Sequence, residues 1–158
     1  MSALSAEARG EQSIREVLGA IVEVFAHGSE AKVTLDIQPG LAEPDPDRKL
    51  VLVRTSQEAL TNVQKHASAT RVDLDLNVEA GAYVLTCRDN GRGIASDTDA
   101  GAAAGPDGEA RTSRFGLRNL RARAQVFGGR VDLEPVPDGG AVLRLTLPAG
   151  LGAADGRA

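Results

Sequence analysis

Aromatic residues are scarce in this chain of 158 residues: they make up 3% of it, with no tryptophan and a single tyrosine. Proteins that bind single-stranded nucleic acid stack bases on aromatic side chains, and proteins that hold phosphate backbones usually carry a basic surface. This chain has 22 Asp and Glu against 18 Lys and Arg, a formal net charge of −4. We therefore expect no nucleic-acid partner.

Cysteine is nearly absent, and long apolar runs are missing. Cys87 is the only cysteine, which excludes an internal disulfide and a zinc site built from cysteines, and its apolar neighbours in AYVLTC predict a buried thiol. The N-terminus lacks the basic-then-apolar order of a signal peptide, and no segment reaches the about 18 apolar residues of a membrane span. We expect a cytoplasmic, monomeric domain without direct membrane contact.

Apolar residues make up 42% of the chain, enough for the core of one domain. Their three-to-four spacing predicts helices over residues 11–26, 46 to about 66, and 116–127. Alternation of apolar and polar residues predicts strands over 31–37, 70–78, 83–88, 130–136 and 141–148, the last four forming two antiparallel hairpins. This order predicts an α/β two-layer sandwich, in which helices cover one face of a mixed, mostly antiparallel sheet.

One internal segment and both ends lack this periodicity. Residues 95–114, ASDTDAGAAAGPDGEARTSR, are small or polar, and the segment is too long for an ordinary connection within a domain. We therefore predict a mobile loop over about 95–115. The chain divides into an N-terminal helix and connector (1–28), a folded domain (29–149) and a disordered tail (150–158).

Polar groups share one face of the second helix, in the stretch TSQEALTNVQKHA. At about 100° per residue, Glu58, Asn62 and Lys65 fall within one narrow arc, with His66 at its edge. An amide oxygen is a hard, neutral ligand for a divalent cation, and a lysine is a point charge for phosphate oxygens. The face suits a hydrated metal ion on phosphates, although an ordinary solvated helix face fits the same residues.

The segment DNGRGI, Asp89 to Ile94, directly follows a predicted strand. Asn-Gly after a strand usually marks a hairpin turn, but no alternating strand follows within pairing distance. Gly91 and Gly93 would let the backbone approach a ligand closely, and Asp89 can accept a hydrogen bond from an exocyclic amine. The segment therefore predicts a purine site.

A third segment, RFGLRNL, places Gly116 at the predicted start of the last helix. Unpaired N–H groups at a helix start, together with the helix dipole, bind anions. A plain hinge glycine is the alternative interpretation.

Taken in order, EALTNVQKHA, DNGRGI and GLRNLRARAQVFGG resemble the N, G1 and G2 boxes of the ATP-binding domain of sensor histidine kinases. This Bergerat fold is shared with gyrase, heat-shock chaperones of the ninety-kilodalton class and mismatch-repair ATPases. The resemblance covers residues 32–148, and three boxes in order are far more specific than one. GLRNLRARAQVFGG and LRLTLP are similar to kinases paired with NarL-type response regulators, in particular actinobacterial gas-sensing kinases of the DevS and DosT kind.

The resemblance implies ATP and Mg²⁺ as ligands. Asn62 would hold Mg²⁺, Lys65 would face the phosphates, and Asp89 would bind the adenine amine. Glu58 matches the general base of the ATPase relatives, and Glu58, Asn62 and Lys65 are the implied catalytic residues. The implied nucleotide-binding residues are Asn62, Lys65, His66, Asp89, Gly91, Gly93, Ile94, Gly116 and Leu117.

The sequence departs from the family pattern at two positions and lacks one family element. Asn119 stands where many relatives have Gly. Ala141 stands where many relatives have a Thr that contacts the base, and the loss of that contact predicts a modest nucleotide affinity. Neither histidine fits a phosphoacceptor motif, so the resemblance implies a kinase catalytic domain whose acceptor His lies on an upstream dimerisation domain. A NarL-type response regulator would be the partner of the full-length kinase. A stand-alone serine kinase of the anti-sigma-factor type and a degenerate nucleotide-binding module remain alternatives.

Overall fold

Helices and strands follow one another in the predicted order. The computed structural model describes residues 12–67, 69–91, 108–137 and 139–149. The elements are α1 (Ile14–His27), β1 (Lys32–Ile37), α2 (Pro46–Asn62), a π-helical turn (Val63–Ala67), β2 (Arg71–Glu79), β3 (Ala82–Asp89), α3 (Gly108–Val126), β4 (Arg130–Pro135) and β5 (Ala141–Pro148). None of the described helices is long and apolar enough to cross a membrane.

The first two helices begin at side chains that cap them. The Ser13 hydroxyl accepts a hydrogen bond from the Glu16 N–H (3.1 Å), and the Glu16 carboxylate accepts one from the Ser13 N–H (3.0 Å), which is a capping box. Asp45 caps α2 by accepting from the N–H of Arg48 (3.2 Å). The proline that follows Asp45 has no N–H to leave unpaired, so the predicted start of α2 is confirmed.

The five strands form one sheet in the order β1-β2-β3-β5-β4. β1 runs parallel to β2, and every other pair is antiparallel. One face is buried beneath the three helices, and its largest fully buried strand residues are Val72, Leu74, Leu76, Leu85, Leu145 and Leu147. The predicted fold class, a mixed and mostly antiparallel sheet with helices on one face, is confirmed.

The N-terminal helix packs into this same core. Ile14, Leu18 and Phe25 of α1 are buried in one cluster with the sheet residues. Glu43, in the loop before α2, accepts a hydrogen bond from the Ile14 N–H (2.7 Å) and forms an ion pair with Lys49 (2.6 Å). Helix α1 is therefore held at its first residue as well as along its apolar face.

The last helix begins earlier than predicted. α3 starts at Gly108, eight residues before Gly116, so the prediction that Gly116 opens the helix is wrong. The intervening Glu, Ala and Arg residues are good helix formers, and one internal Gly costs only about 1 kcal/mol relative to Ala. The predicted loop is therefore helical from residue 108 onward, and its part over 95–107 lies outside the described residues.

Candidate functional site

Three of the residues predicted to form the site, Asn62, Asp89 and Gly91, lie at one end of the sheet. Arg48, at the start of α2, donates to the Pro148 carbonyl (2.6 Å), so α2 begins at the opposite end. Its 17 residues span about 25 Å, and Gln64, just beyond it, donates to the Gly28 carbonyl ahead of β1 (3.0 Å). Helix α2 therefore ends where β1 and β2 begin, which is also where β3 ends at Asp89.

Asp89 points to the helix-covered face at this end. It is 8% exposed, and its Oδ1 accepts a hydrogen bond from the Gly91 N–H (2.8 Å). Burial raises the pKa of the Asp89 carboxyl above its ordinary 3.8, against the lowering effect of backbone N–H donors at Gly91 and Ala141. The carboxylate is thus held in a fixed orientation in a poorly solvated place, where a hydrogen-bond donor on a ligand would be favourable.

The turn between β4 and β5 lies directly against the end of β3. Gly140 has a φ of +99°, and a Cβ placed on it would lie 1.9 Å from the Asp89 carbonyl oxygen. Only glycine allows this approach. The sequence predicted the hairpin of β4 and β5 but missed the contact of its turn with DNGRGI. The pair of glycines, Gly139 and Gly140, was the local signal that could have indicated it.

The polar face of α2 reaches the same end, but its last turn is not a regular α-helix. Glu58 and Asn62 are partly buried, and Lys65 is exposed. Residues Val63–Ala67 form a π-helical turn, a rare widening that is frequent at functional sites. The sequence did not predict this wider turn, which carries Lys65.

The remaining predicted site residues are less completely placed. Gly116 lies within α3, where N–H groups bond internally, so it does not offer the free helix-start amide that was predicted. Leu117 is partly buried and packs against the core. Gly93, Ile94 and the His66 side chain lie outside the described residues.

The chain matches the model of a known protein family. The family model described as "Histidine kinase-, DNA gyrase B-, and HSP90-like ATPase" matches residues 47–151. The chain belongs to this family. It is 29% identical over 97 residues to the sensor protein VraS of Staphylococcus haemolyticus, an alignment that covers 61% of this chain and 25% of VraS. The same match is found with VraS of Staphylococcus aureus, so the chain spans about a quarter of the curated relatives it matches.

Solved structures of histidine kinases share the fold of this ATPase-family domain. The ATP binding domain of PrrB from Mycobacterium tuberculosis is 26% identical, with a TM-score of 0.62 over 88% of this chain and 96% of that one. The histidine kinase domain of the blue-light activated kinase of Erythrobacter litoralis EL346 gives a TM-score of 0.67 at 22% identity, over 90% of this chain and 64% of that chain. The narrower likeness to NarL-type and DevS or DosT kinases stays a prediction.

The donor set of this domain fits a metal ion that is carried by a nucleotide. Across the described ranges, no three His, Cys, Asp or Glu side chains come together as a metal site. Mg²⁺ on phosphates keeps several waters and needs only one or two protein oxygens. Asn62, partly buried at the end of α2, offers one such oxygen, which is enough for a Mg²⁺ ion that phosphates also hold.

A concavity lies on the face of the sheet opposite the three described helices. It has a volume of about 460 Å³ and is lined by residues that include Asp36, Asp75, Thr86 and Arg144. Burial raises the pKa of Asp75, and the nearby charges of Asp36 and Asp73 raise it further. The concavity is on the face opposite Asp89 and contains none of the predicted site residues.

Proposed function

We propose that this chain is the ATP-binding catalytic domain of a two-component sensor histidine kinase. It would bind Mg·ATP and donate the γ-phosphoryl group to a histidine on an upstream dimerisation domain outside this chain. The observation that carries the proposal is the buried Asp89 carboxylate, oriented by backbone amides at the same end of the sheet as Asn62. A response regulator, of the NarL type by resemblance, would then receive the phosphoryl group from the full-length kinase.

Asp89 would select the base. Adenine presents an exocyclic amine that donates a hydrogen bond, and a carboxylate only accepts. Guanine presents a carbonyl oxygen at the corresponding position, which would place two acceptors against each other in a poorly solvated pocket. Because an unpaired buried acceptor is costly, the site should prefer ATP over GTP.

The phosphates would lie toward the end of α2. The Asn62 amide oxygen would hold Mg²⁺, and Lys65 and His66 would face the phosphate oxygens. When bound, the metal neutralises charge on the transferring phosphoryl group. The protein contributes mainly position and charge, which supply most of the catalysis in phosphoryl transfer.

Calorimetric titration of ATP and GTP, with and without Mg²⁺, tests the site. Asp89→Ala removes the acceptor and should weaken ATP binding by about 1.5–3 kcal/mol, roughly ten- to a hundredfold. Asn62→Ala should weaken binding mainly when Mg²⁺ is present. Asp75→Ala is the matched control, since Asp75 also has a raised pKa but lies on the opposite face. Wild-type protein that binds neither nucleotide would contradict the proposal.

The missing acceptor domain gives a second test. Incubated with labelled ATP, the chain alone should not phosphorylate itself, and a separate dimerisation fragment of its parent kinase should become labelled because it restores proximity. Label on this chain that is stable in base and lost in acid would show an acceptor histidine within it.

A further inference from the structure

Asn90, the residue after Asp89, makes a set of hydrogen bonds that the proposed function does not use. Its Oδ1 accepts from the N–H groups of Thr70 (2.9 Å) and Arg71 (3.0 Å). Its Nδ2 donates to the Thr70 hydroxyl (2.9 Å), and its backbone N–H donates to the Arg71 carbonyl (3.3 Å). Both polar atoms of the side chain are therefore directed at the segment that opens β2.

That segment lies between two parts of the proposed site, the Asp89 carboxylate and the turn that carries Lys65. Thr70 follows the π-helical turn Val63–Ala67, which carries Lys65, by three residues. The Thr70 carbonyl also accepts from the Lys32 N–H at the start of β1 (2.9 Å). Asn90 consequently connects the end of β3, where Asp89 lies, to the short segment that joins the end of α2 to β2.

These bonds are poorly explained as a contribution to the free energy of unfolding of the whole domain. Asn90 is exposed, so water can replace its side chain as the partner of the Thr70 and Arg71 N–H groups, and such bonds contribute modestly to the free energy of unfolding. What water cannot replace is a rigid connection. A side chain that bridges two adjacent amides and a hydroxyl fixes both the distance and the orientation of the segments.

We propose that Asn90 is a positioning residue that fixes Asp89 relative to the turn carrying Lys65. One nucleotide could then meet the base-binding carboxylate and the phosphate-binding side chains together. The inference rests on the proposed function. Asn90→Asp would preserve the bridge, because a carboxylate oxygen accepts from both amides and the Thr70 hydroxyl can rotate to donate.

The test is titration of the full chain with Mg·ATP and Mg·GTP. Asn90→Ala should lower ATP affinity by roughly tenfold, comparable to the loss that follows removal of a residue that orients a metal ligand. It should also reduce the preference for ATP over GTP, because Asp89 would no longer be fixed relative to the turn carrying Lys65. Asn90→Asp should restore most of both. Thr70→Val removes one of the bonds and should have a smaller effect in the same direction.

Asn77→Ala is the matched control, since Asn77 also donates from its side chain, to Glu79 (3.3 Å), but lies at the far end of β2. It should bind ATP like the wild type, and its melting temperature should resemble that of Asn90→Ala. Wild-type affinity and preference in Asn90→Ala would overturn the inference. So would equal losses for ATP and GTP with a lowered melting temperature, which would indicate a merely structural role. Wild-type protein without ATP binding would instead contradict the proposed function itself.

Discussion

Replacing Gly140 by alanine tests the contact between the β4–β5 turn and the end of β3. The new Cβ would lie 1.9 Å from the Asp89 carbonyl oxygen and 2.8 Å from the Asn90 Cα, whereas Cβ atoms essentially never approach within 3.0 Å. The backbone of a packed interior yields little, so the turn must retreat by roughly 1 Å. This movement would separate Ala141 from Asp89, its partner in the β3–β5 pairing.

Two effects set the magnitude of the loss. A non-glycine residue at a φ of +99° carries about 1–3 kcal/mol of backbone strain. The retreat adds the loss of hydrogen bonds around Ala141 and Asp89, each worth about 1 kcal/mol. We expect Gly140→Ala to lower the free energy of unfolding by about 3–5 kcal/mol, which is exceptional for one substitution and a large part of a domain's stability.

Alanine variants of two other glycines allow the effect of backbone strain to be measured apart from the effect of the close contact. Gly81 has a φ of +77° with open space around its Cβ position, and Gly139 has a φ of +111° with its nearest neighbour at 3.7 Å, an ordinary contact. Each alanine variant should show the strain alone, about 1–3 kcal/mol. Urea denaturation of the three variants, monitored by circular dichroism, measures the difference. Equal losses in Gly140→Ala and Gly139→Ala would refute the close packing of the turn on β3.

Three further predictions concern buried groups. The Thr55 hydroxyl is fully buried without a hydrogen-bond partner, so Thr55→Val should raise the free energy of unfolding by about 1–2 kcal/mol. The control Ser56→Ala, which removes a bond to the Leu52 carbonyl, should not raise it. A lowered free energy of unfolding in Thr55→Val would mean that the hydroxyl is bonded. Burial raises the pKa of Cys87 to about 12, so iodoacetamide at pH 8 should label the chain only after unfolding, because the thiolate is the reactive form; rapid labelling of folded protein would contradict this. The raised pKa of Asp89 means that the folded state binds its proton more tightly, so this group's contribution to stability falls as pH rises through the interval between its unfolded and folded pKa values. ATP affinity should accordingly be lost on acidification with a midpoint above pH 3.8, and a profile unchanged in Asp89→Asn would show that another group titrates.

The sequence predicted those elements in which local signals agree. Helix α2 combines a capping Asp45, a following proline and apolar periodicity, and it begins at the predicted residue. β2 and β3 alternate cleanly around a short turn, and their antiparallel pairing is confirmed. The start of α3 was wrong because a single glycine was taken as a boundary, although its helix penalty is small beside the helix-forming residues before it.

Candidate site residues could be named from the sequence, but their arrangement could not. Asp89 and Asn62 stand in recognisable motifs, and the structure places both at the same end of the sheet. The π-helical turn after Asn62, the approach of Gly140 and the bonds of Asn90 all depend on backbone that distant segments place. Local pattern carries no information about such contacts, so only the folded chain shows them.

These contacts divide the proposed site into two halves of different character. The base half is built from backbone: segments around residues 70, 90 and 140 meet at one sheet end through main-chain hydrogen bonds and a glycine contact. The phosphate half, as far as the structure describes it, depends on side chains such as the exposed Lys65. Changes in the backbone contacts of the base half, as at Gly140, should therefore alter stability and nucleotide affinity together. Changes at Lys65 should alter affinity alone, because exposed side chains contribute little to the fold.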